Sequence, residues 1–164
     1  MWSNKYIGIP FKERGRDFSG VDCWGLVRLI YKNEFNITLP SFVDDYTTTD
    51  DTPRLEELIA QYREGWDEIT ALESGAVILF KLLGSESHIA VAINDKQFIH
   101  ISENSTSVVE SIDSVLWRKR IVGYFKYNSS KNVILNTVPH PLKTERYTLP
   151  IAPGTTLQQL HTFV

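Results

Sequence analysis

The sequence predicts an α+β fold in which N-terminal helices pack on an antiparallel β-sheet, followed by a small C-terminal ββα extension. Three observations lead there. Asp22 precedes an apolar run at helical spacing, which marks a capped amphipathic helix. Thr52-Pro53 opens a second helix whose Leu55, Leu58, Ile59 and Tyr62 share a face and which Gly65 ends. From Ala76 to Tyr127, short alternating runs separated by turn residues read as antiparallel strands.

In chain order, the first helix is expected from Cys23 to about Phe35, with Cys23, Trp24, Val27, Ile30 and Tyr31 as its apolar stripe. Asp44 to Asp51 is an acidic, Thr-rich connection. Nothing there fixes the carboxylates in one geometry, so a solvated loop is expected over a metal site. Strands follow at Ala76–Lys81, His88–Ile93, Gln97–Ile101, Ser107–Ser111 and Ile121–Tyr127. The polar stretch Asn128–Asn132 is the expected boundary between residues 1–127 and 128–164. Beyond it come a strand at Val133–Val138, the rigid turn Pro139-His140-Pro141, an edge-type strand at Tyr147–Ile151 containing Pro150, and a helix capped by Pro153-Gly154-Thr155. Two strands and a helix hold too little core to stand alone, so this unit is expected to dock on the preceding domain, to pair with another subunit or to open a longer fold. His140 and His161 are assigned turn and surface roles.

Composition narrows the function. The 164 residues are 42% hydrophobic and 23% charged, an ordinary globular balance with room for one sizeable core. A net charge of −3 leaves no basic footprint, so nucleic acid is not expected as a partner. No apolar run is long enough for a membrane-spanning helix, so no membrane insertion is expected. Met1 to Tyr6 lacks an apolar export signal, which leads to the expectation of synthesis in the cytoplasm. A single cysteine excludes an internal disulfide and a cysteine-rich zinc site.

That cysteine, Cys23, falls at the first helical position, where the helix dipole and unpaired N–H groups favour a thiolate. The bland alternative is a small buried hydrophobe. Further on, His88 and His100 sit on two alternating runs joined by Asn94-Asp95-Lys96, a hairpin pattern. An odd loop length puts both rings on one face, and an even one puts them on opposite faces. Alanines at 90 and 92 leave room beside His88. A helix-start cysteine with two strand histidines is the set that nucleophilic acyl transfer requires. Cys23 would be the nucleophile and its backbone N–H an oxyanion donor. His88 would be the general base and acid, and His100 would orient His88. Asp22, Trp24 and Phe11 complete the expected cleft. The competing reading is a zinc site made by Cys23, His88 and His100 with an open position. The peptidase reading needs no metal and no cofactor.

These residues resemble the NlpC-type cell-wall cysteine endopeptidases, a papain-like family that cuts peptidoglycan stem peptides. Tyr6-Ile7-Gly8-Ile9-Pro10-Phe11 matches the family's opening segment, and Asp22-Cys23-Trp24-Gly25-Leu26-Val27 its nucleophile helix. Leu39-Pro40 follows, then the strand Ser74–Phe80, the histidine strand His88-Ile89-Ala90-Val91 and the closing Phe98-Ile99-His100. The resemblance spans about residues 2 to 127 and implies a γ-D-glutamyl-diamino acid amide as substrate. It departs at Trp24, where the family has serine, and at Phe11, where it has a tyrosine whose hydroxyl assists near the nucleophile. The Asp-Cys-Trp-Gly-Leu variant is similar to the tail-tip assembly branch of long-tailed bacteriophages, such as the C-terminal domain of phage lambda tail tip protein K. Residues 139–142 and 153–157 resemble the opening of phage central tail-tip proteins. The resemblance implies peptidoglycan and other tail-tip proteins as partners. It also implies a place in the virion, with action in the periplasm or cell wall during genome delivery. A structural tail-tip subunit with a weak or inactive peptidase fold is the alternative.

Overall fold

Asp22 starts the helix that carries Cys23. Its backbone is extended, and its side chain accepts from the Gly25 N–H at 2.6 Å, which satisfies one donor of the first turn. The helix, α1, runs Cys23–Glu34 and is capped by Phe35, whose N–H bonds the Tyr31 carbonyl. The computed structural model describes residues 1–41, 63 and 65–131. The acidic loop, nearly all of the helix expected after Thr52-Pro53, and the ββα unit with His140 and His161 lie outside the described residues.

Ahead of α1 come a 3-10 turn at Trp2–Tyr6 and two short antiparallel strands, β1 (Arg16–Asp17) and β2 (Gly20–Val21). After it come β3 (Trp66–Ile69), β4 (Val77–Leu82), β5 (Ser85–Ala92), β6 (Gln97–His100), β7 (Val108–Ser111) and β8 (Ile121–Tyr127). These six form one antiparallel sheet in the order β3-β8-β4-β5-β6-β7. The α+β expectation therefore holds, and the five expected strands appear with small shifts at their ends.

Two strand features were not anticipated. β3 fell in a stretch without clean alternation, and it is held as an edge by pairing Trp66 with Tyr127 and Ile69 with Tyr124. β5 begins at Ser85 rather than His88 because Leu83 and Gly84 both take positive φ, 49° and 95°. That makes a two-residue hairpin turn closed by the Leu82–Ser85 pair. The start of the expected linker is tied down: Asn128 Nδ2 donates to Asp67 at 2.7 Å, and Lys131 pairs with the same carboxylate at 2.6 Å.

The sheet has a core on each face. Leu26, Val27 and Ile30 of α1 pack with Leu79, Ile89, Val91 and Ile99 on one side. Ala76, Ile78, Phe80, Ala90, Ala92, Phe98 and Trp117 fill the other. Each large aliphatic buried this way contributes about 1.5–3 kcal/mol. The α1 stripe is broader than Cys23, Trp24, Val27, Ile30 and Tyr31. Leu26 and Leu29 are also buried, while Cys23 and Trp24 at the helix start are only partly so. Among the described residues, no helix is long and apolar enough to cross a membrane.

Gly25 sets how closely α1 approaches the β1 segment. A Cβ there would stand 2.1 Å from the Gly15 carbonyl oxygen and 3.1 Å from both Arg16 Nη1 and Asp22 Oδ1. Backbone cannot swing aside as a side chain does. Gly25→Ala is expected to destabilise by about 1–3 kcal/mol, read as a lower denaturation midpoint. An unchanged midpoint would mean that the Gly15 loop does not brace the helix.

Candidate active site

The N-terminus of α1 is fixed by a second layer. Arg16 Nη1 donates to both oxygens of Asp22, at 2.8 and 2.9 Å, and to the Gly15 carbonyl at 2.7 Å. Its Nη2 reaches the Ser41 carbonyl at 2.9 Å. Asp22 is fully buried, and its carboxylate is committed to Gly25 and Arg16. Its part here is to hold the start of the helix that carries Cys23. Trp24 Nε1 donates to the Pro40 carbonyl at 3.0 Å, which pins the ring over the Leu39-Pro40 segment. Phe11 is partly buried beside the same core, its N–H bonded to the Ser105 carbonyl at 3.0 Å and its backbone bridged to Val21.

Cys23 sits where α1 meets β5. Its sulfur receives backbone hydrogen bonds from Ile89, the residue after His88, and from Trp24. Those bonds and Arg16 favour the thiolate, but burial outweighs them and the nearby Asp22 charge opposes them. The thiol is pushed up to about 12. Burial therefore works against the thiolate that the helix terminus favours.

The odd-loop alternative for the hairpin is the one realised. Val91 pairs with Ile99 and Ala92 with Phe98, so His88 and His100 emerge on the same face of β5 and β6 as diagonal neighbours. His88 Nε2 lies 3.1 Å from His100 Nδ1, with the ring planes nearly perpendicular. This face is the one away from the body of α1, filled by Phe80, Phe98 and Trp117. Burial holds both imidazoles neutral. His88 is lowered to about 3, first by desolvation and then by the neighbouring His100, and His100 is lowered to about 4 by desolvation. Because Nε2 of His88 is engaged by His100, Nδ1 is the ring nitrogen left for a proton from elsewhere.

The structure therefore brings His88 and His100 into direct contact and Cys23 to the backbone beside His88. The hydrogen bonds of the described residues do not include one between Cys23 Sγ and His88. The zinc reading fares poorly on geometry: the two histidines turn ring nitrogens toward each other, and no group of three suitable donors is assembled among the described residues.

Residues 8–126 match the NlpC/P60 family. The chain belongs to that family, a family of cysteine peptidases. It is similar to the Escherichia coli (strain K12) protein named "Murein DD-endopeptidase MepS/Murein LD-carboxypeptidase", at 23% identity over 77% of this chain and 57% of that one. It is also similar to the "Probable endopeptidase NlpC" of the same strain, at 26% identity over 68% of this chain and 65% of that protein. The chain thus spans less than two thirds of the length of either relative. Among solved structures it resembles an NlpC/P60 family protein from Bacillus cereus ATCC 10987 (TM-score 0.56, 24% identity, 76% of this chain and 37% of that one). It also resembles the NlpC/p60 domain of the peptidoglycan hydrolase SagA (TM-score 0.53, 21% identity, 76% of this chain and 92% of that one). These likenesses bear out the papain-like NlpC-type fold.

Three residues escaped the sequence reading. Arg16, which clamps Asp22, lies in a charged stretch with no periodic signal. Glu110 and Trp117 pack against the histidine pair. Glu110 was accessible to the same parity argument that placed His100. It pairs with Phe98 across an antiparallel ladder, which puts it on the face of His100. Trp117 lies in a turn segment with no pattern to mark it.

The depressed histidines make stability depend on pH. Between the ordinary value of 6.5 and the folded values of about 3 and 4, the unfolded chain binds protons that the folded chain refuses. Stability is therefore full above pH 6.5 and falls as the pH drops below it, by about 1.4 kcal/mol per unit for each histidine. Urea unfolding at pH 7 and pH 5 is expected to show this fall, and His100→Gln to reduce it. Equal stability at the two values would contradict a neutral buried pair.

Proposed function

We propose that the chain is a peptidoglycan endopeptidase that hydrolyses a stem-peptide amide by a Cys-His-His thiol mechanism. The observation that carries this is the 3.1 Å His88–His100 contact, next along β5 from the Ile89 backbone that meets Cys23 Sγ. The names of the relatives support the substrate class.

Cys23 attacks the carbonyl carbon as His88 Nδ1 takes the thiol proton, so the ion pair forms only along the reaction coordinate. The Cys23 backbone N–H at the start of α1 donates to the developing oxyanion. His88 then returns the proton to the leaving amine, and water hydrolyses the thioester by the same base. His100, accepting from His88 Nε2–H, keeps the base nitrogen turned to the reaction. The family's substrate, the γ-D-glutamyl-diamino acid bond, is the bond proposed here.

A phage tail-tip setting is the finer part of this reading. It has the enzyme carried in the virion and opening the wall locally during genome delivery, with other tail-tip proteins as partners. Its support is the Asp22-Cys23-Trp24-Gly25-Leu26 variant together with residues 139–142 and 153–157, which lie outside the described residues. Two points favour a second reading, a tail-tip subunit with little hydrolysis: Phe11 carries no hydroxyl, and burial works against the Cys23 thiolate.

Release of stem-peptide fragments from purified peptidoglycan separates the two. The wild type is expected to release them, with a loss of about 10³-fold or more in Cys23→Ala and in His88→Ala. Phe11→Tyr is expected to raise the rate by about tenfold or more, part of the roughly 10²–10³ that one oxyanion donor supplies. A folded wild type that releases nothing, and stays silent as Phe11→Tyr, would favour the structural subunit.

A further inference from the structure

His100 poses a problem that the Cys-His-His scheme leaves open. Its Nδ1 meets His88, but its Nε2 is buried and has no hydrogen-bond partner among the described residues. The Glu110 carboxylate approaches it, with Oε1 3.9 Å from Nε2. Glu110 is held in turn, because Trp117 Nε1 donates to its other oxygen. Trp117 is 4% exposed and touches every member of the group. It stacks on His88 (centroids 5.5 Å apart, planes at 22°) and meets His100 edge-on at 4.8 Å. Arg120 lies over its ring, 5.7 Å from the centroid.

The geometry points to Glu110 as a fourth member of the relay, a positioning residue that acts on His88 through His100 and is itself held by Trp117. The inference rests on the peptidase reading for its catalytic consequence, but its tautomer consequence does not. A carboxylate only accepts, so Glu110 selects the His100 tautomer with the proton on Nε2. Nδ1 of His100 is then an acceptor, His88 must carry its proton on Nε2, and His88 Nδ1 is left as the free base. The opposite chain of tautomers would have His100 donate from Nδ1 to His88 Nε2 and place the His88 proton on Nδ1, where a base is needed. At 3.9 Å the carboxylate faces the N–H dipole of a neutral imidazole and is too far for a hydrogen bond, and such contacts tighten when the reacting charge appears. When His88 Nδ1 takes the Cys23 proton, the imidazolium is stabilised through His100 by a carboxylate that a neutral third residue lacks. The stacked Trp117 face adds to this. The proton returns to the leaving amine, so Glu110 ends the cycle as it began. Glu110 is about a third exposed, so water screens part of its charge.

The test uses the full chain labelled with ¹⁵N at histidine. Ring-nitrogen shifts are expected to show both His100 and His88 protonated on Nε2 in the wild type. Glu110→Gln, which keeps an acceptor and loses the charge, is expected to retain that tautomer but lower kcat on peptidoglycan by about tenfold with little change in KM. That is a fraction of the roughly 10²–10⁴ that acid–base catalysis supplies. Glu110→Ala is expected to mix the His100 tautomers and lower kcat further, and Trp117→Phe to follow it. If wild-type His100 carries its proton on Nδ1, or its tautomer is untouched in folded Glu110→Ala, the inference is overturned whether or not the chain cleaves peptidoglycan. Inactivity of the wild type with the expected tautomers would instead count against the peptidase reading alone.

Discussion

Desolvation around His88 in the middle of β5 is the constraint on which the proposed chemistry depends. The same dry environment pushes the Cys23 thiol up and both imidazoles down, so the three groups rest neutral. A neutral thiol beside a neutral base does not attack by itself. In the proposed mechanism, charge has to be created as the substrate carbonyl closes on the sulfur, and only fixed dipoles and counter-charges can receive it there. The first turn of α1, the His100 ring and the Glu110 carboxylate are the groups placed to do so.

The scaffold explains why those groups stay in place. Arg16 ties Asp22 to the Gly15 and Ser41 carbonyls, Asp22 ties the first turn of α1, and Gly25 lets the helix approach the Gly15 backbone closely. On the other face of the sheet, aromatic rings wall in the histidines. Phe80, Phe98 and Trp117 leave the two imidazoles with each other and Glu110 as polar company. Cys23 thus lies on the α1-facing side of β5, with the Ile89 backbone at its sulfur, while His88 projects from the other side of the same strand.

Much of this was legible in the residues. Asp22 marked the helix start, and alternation placed the strands from Val77 to Tyr127. The parity of the β5–β6 loop offered two outcomes, one of which put His88 against His100. The parts that were not legible have physical causes. β3 is an edge strand whose pattern is set by its pairing with β8 rather than by alternation. The longer β5 depends on a Leu83-Gly84 turn with both residues at positive φ, a conformation leucine rarely signals. The thiol's protonation could not be read from the helix terminus alone, because burial is a tertiary property. Arg16 and Trp117 reach their partners from irregular segments that carry no periodicity.

The state of Cys23 at rest is the point on which these threads meet, and Cys23 is the only cysteine, so it can be alkylated without interference. The rate of its reaction with iodoacetamide follows the thiolate fraction. Measured on the folded full chain from pH 5 to 9.5, it is expected to climb about tenfold per pH unit without levelling off, as a thiol raised to about 12 requires. A rate that levels off below pH 8 would mean that a thiolate–imidazolium pair already exists at rest. That result would contradict a site held neutral by burial.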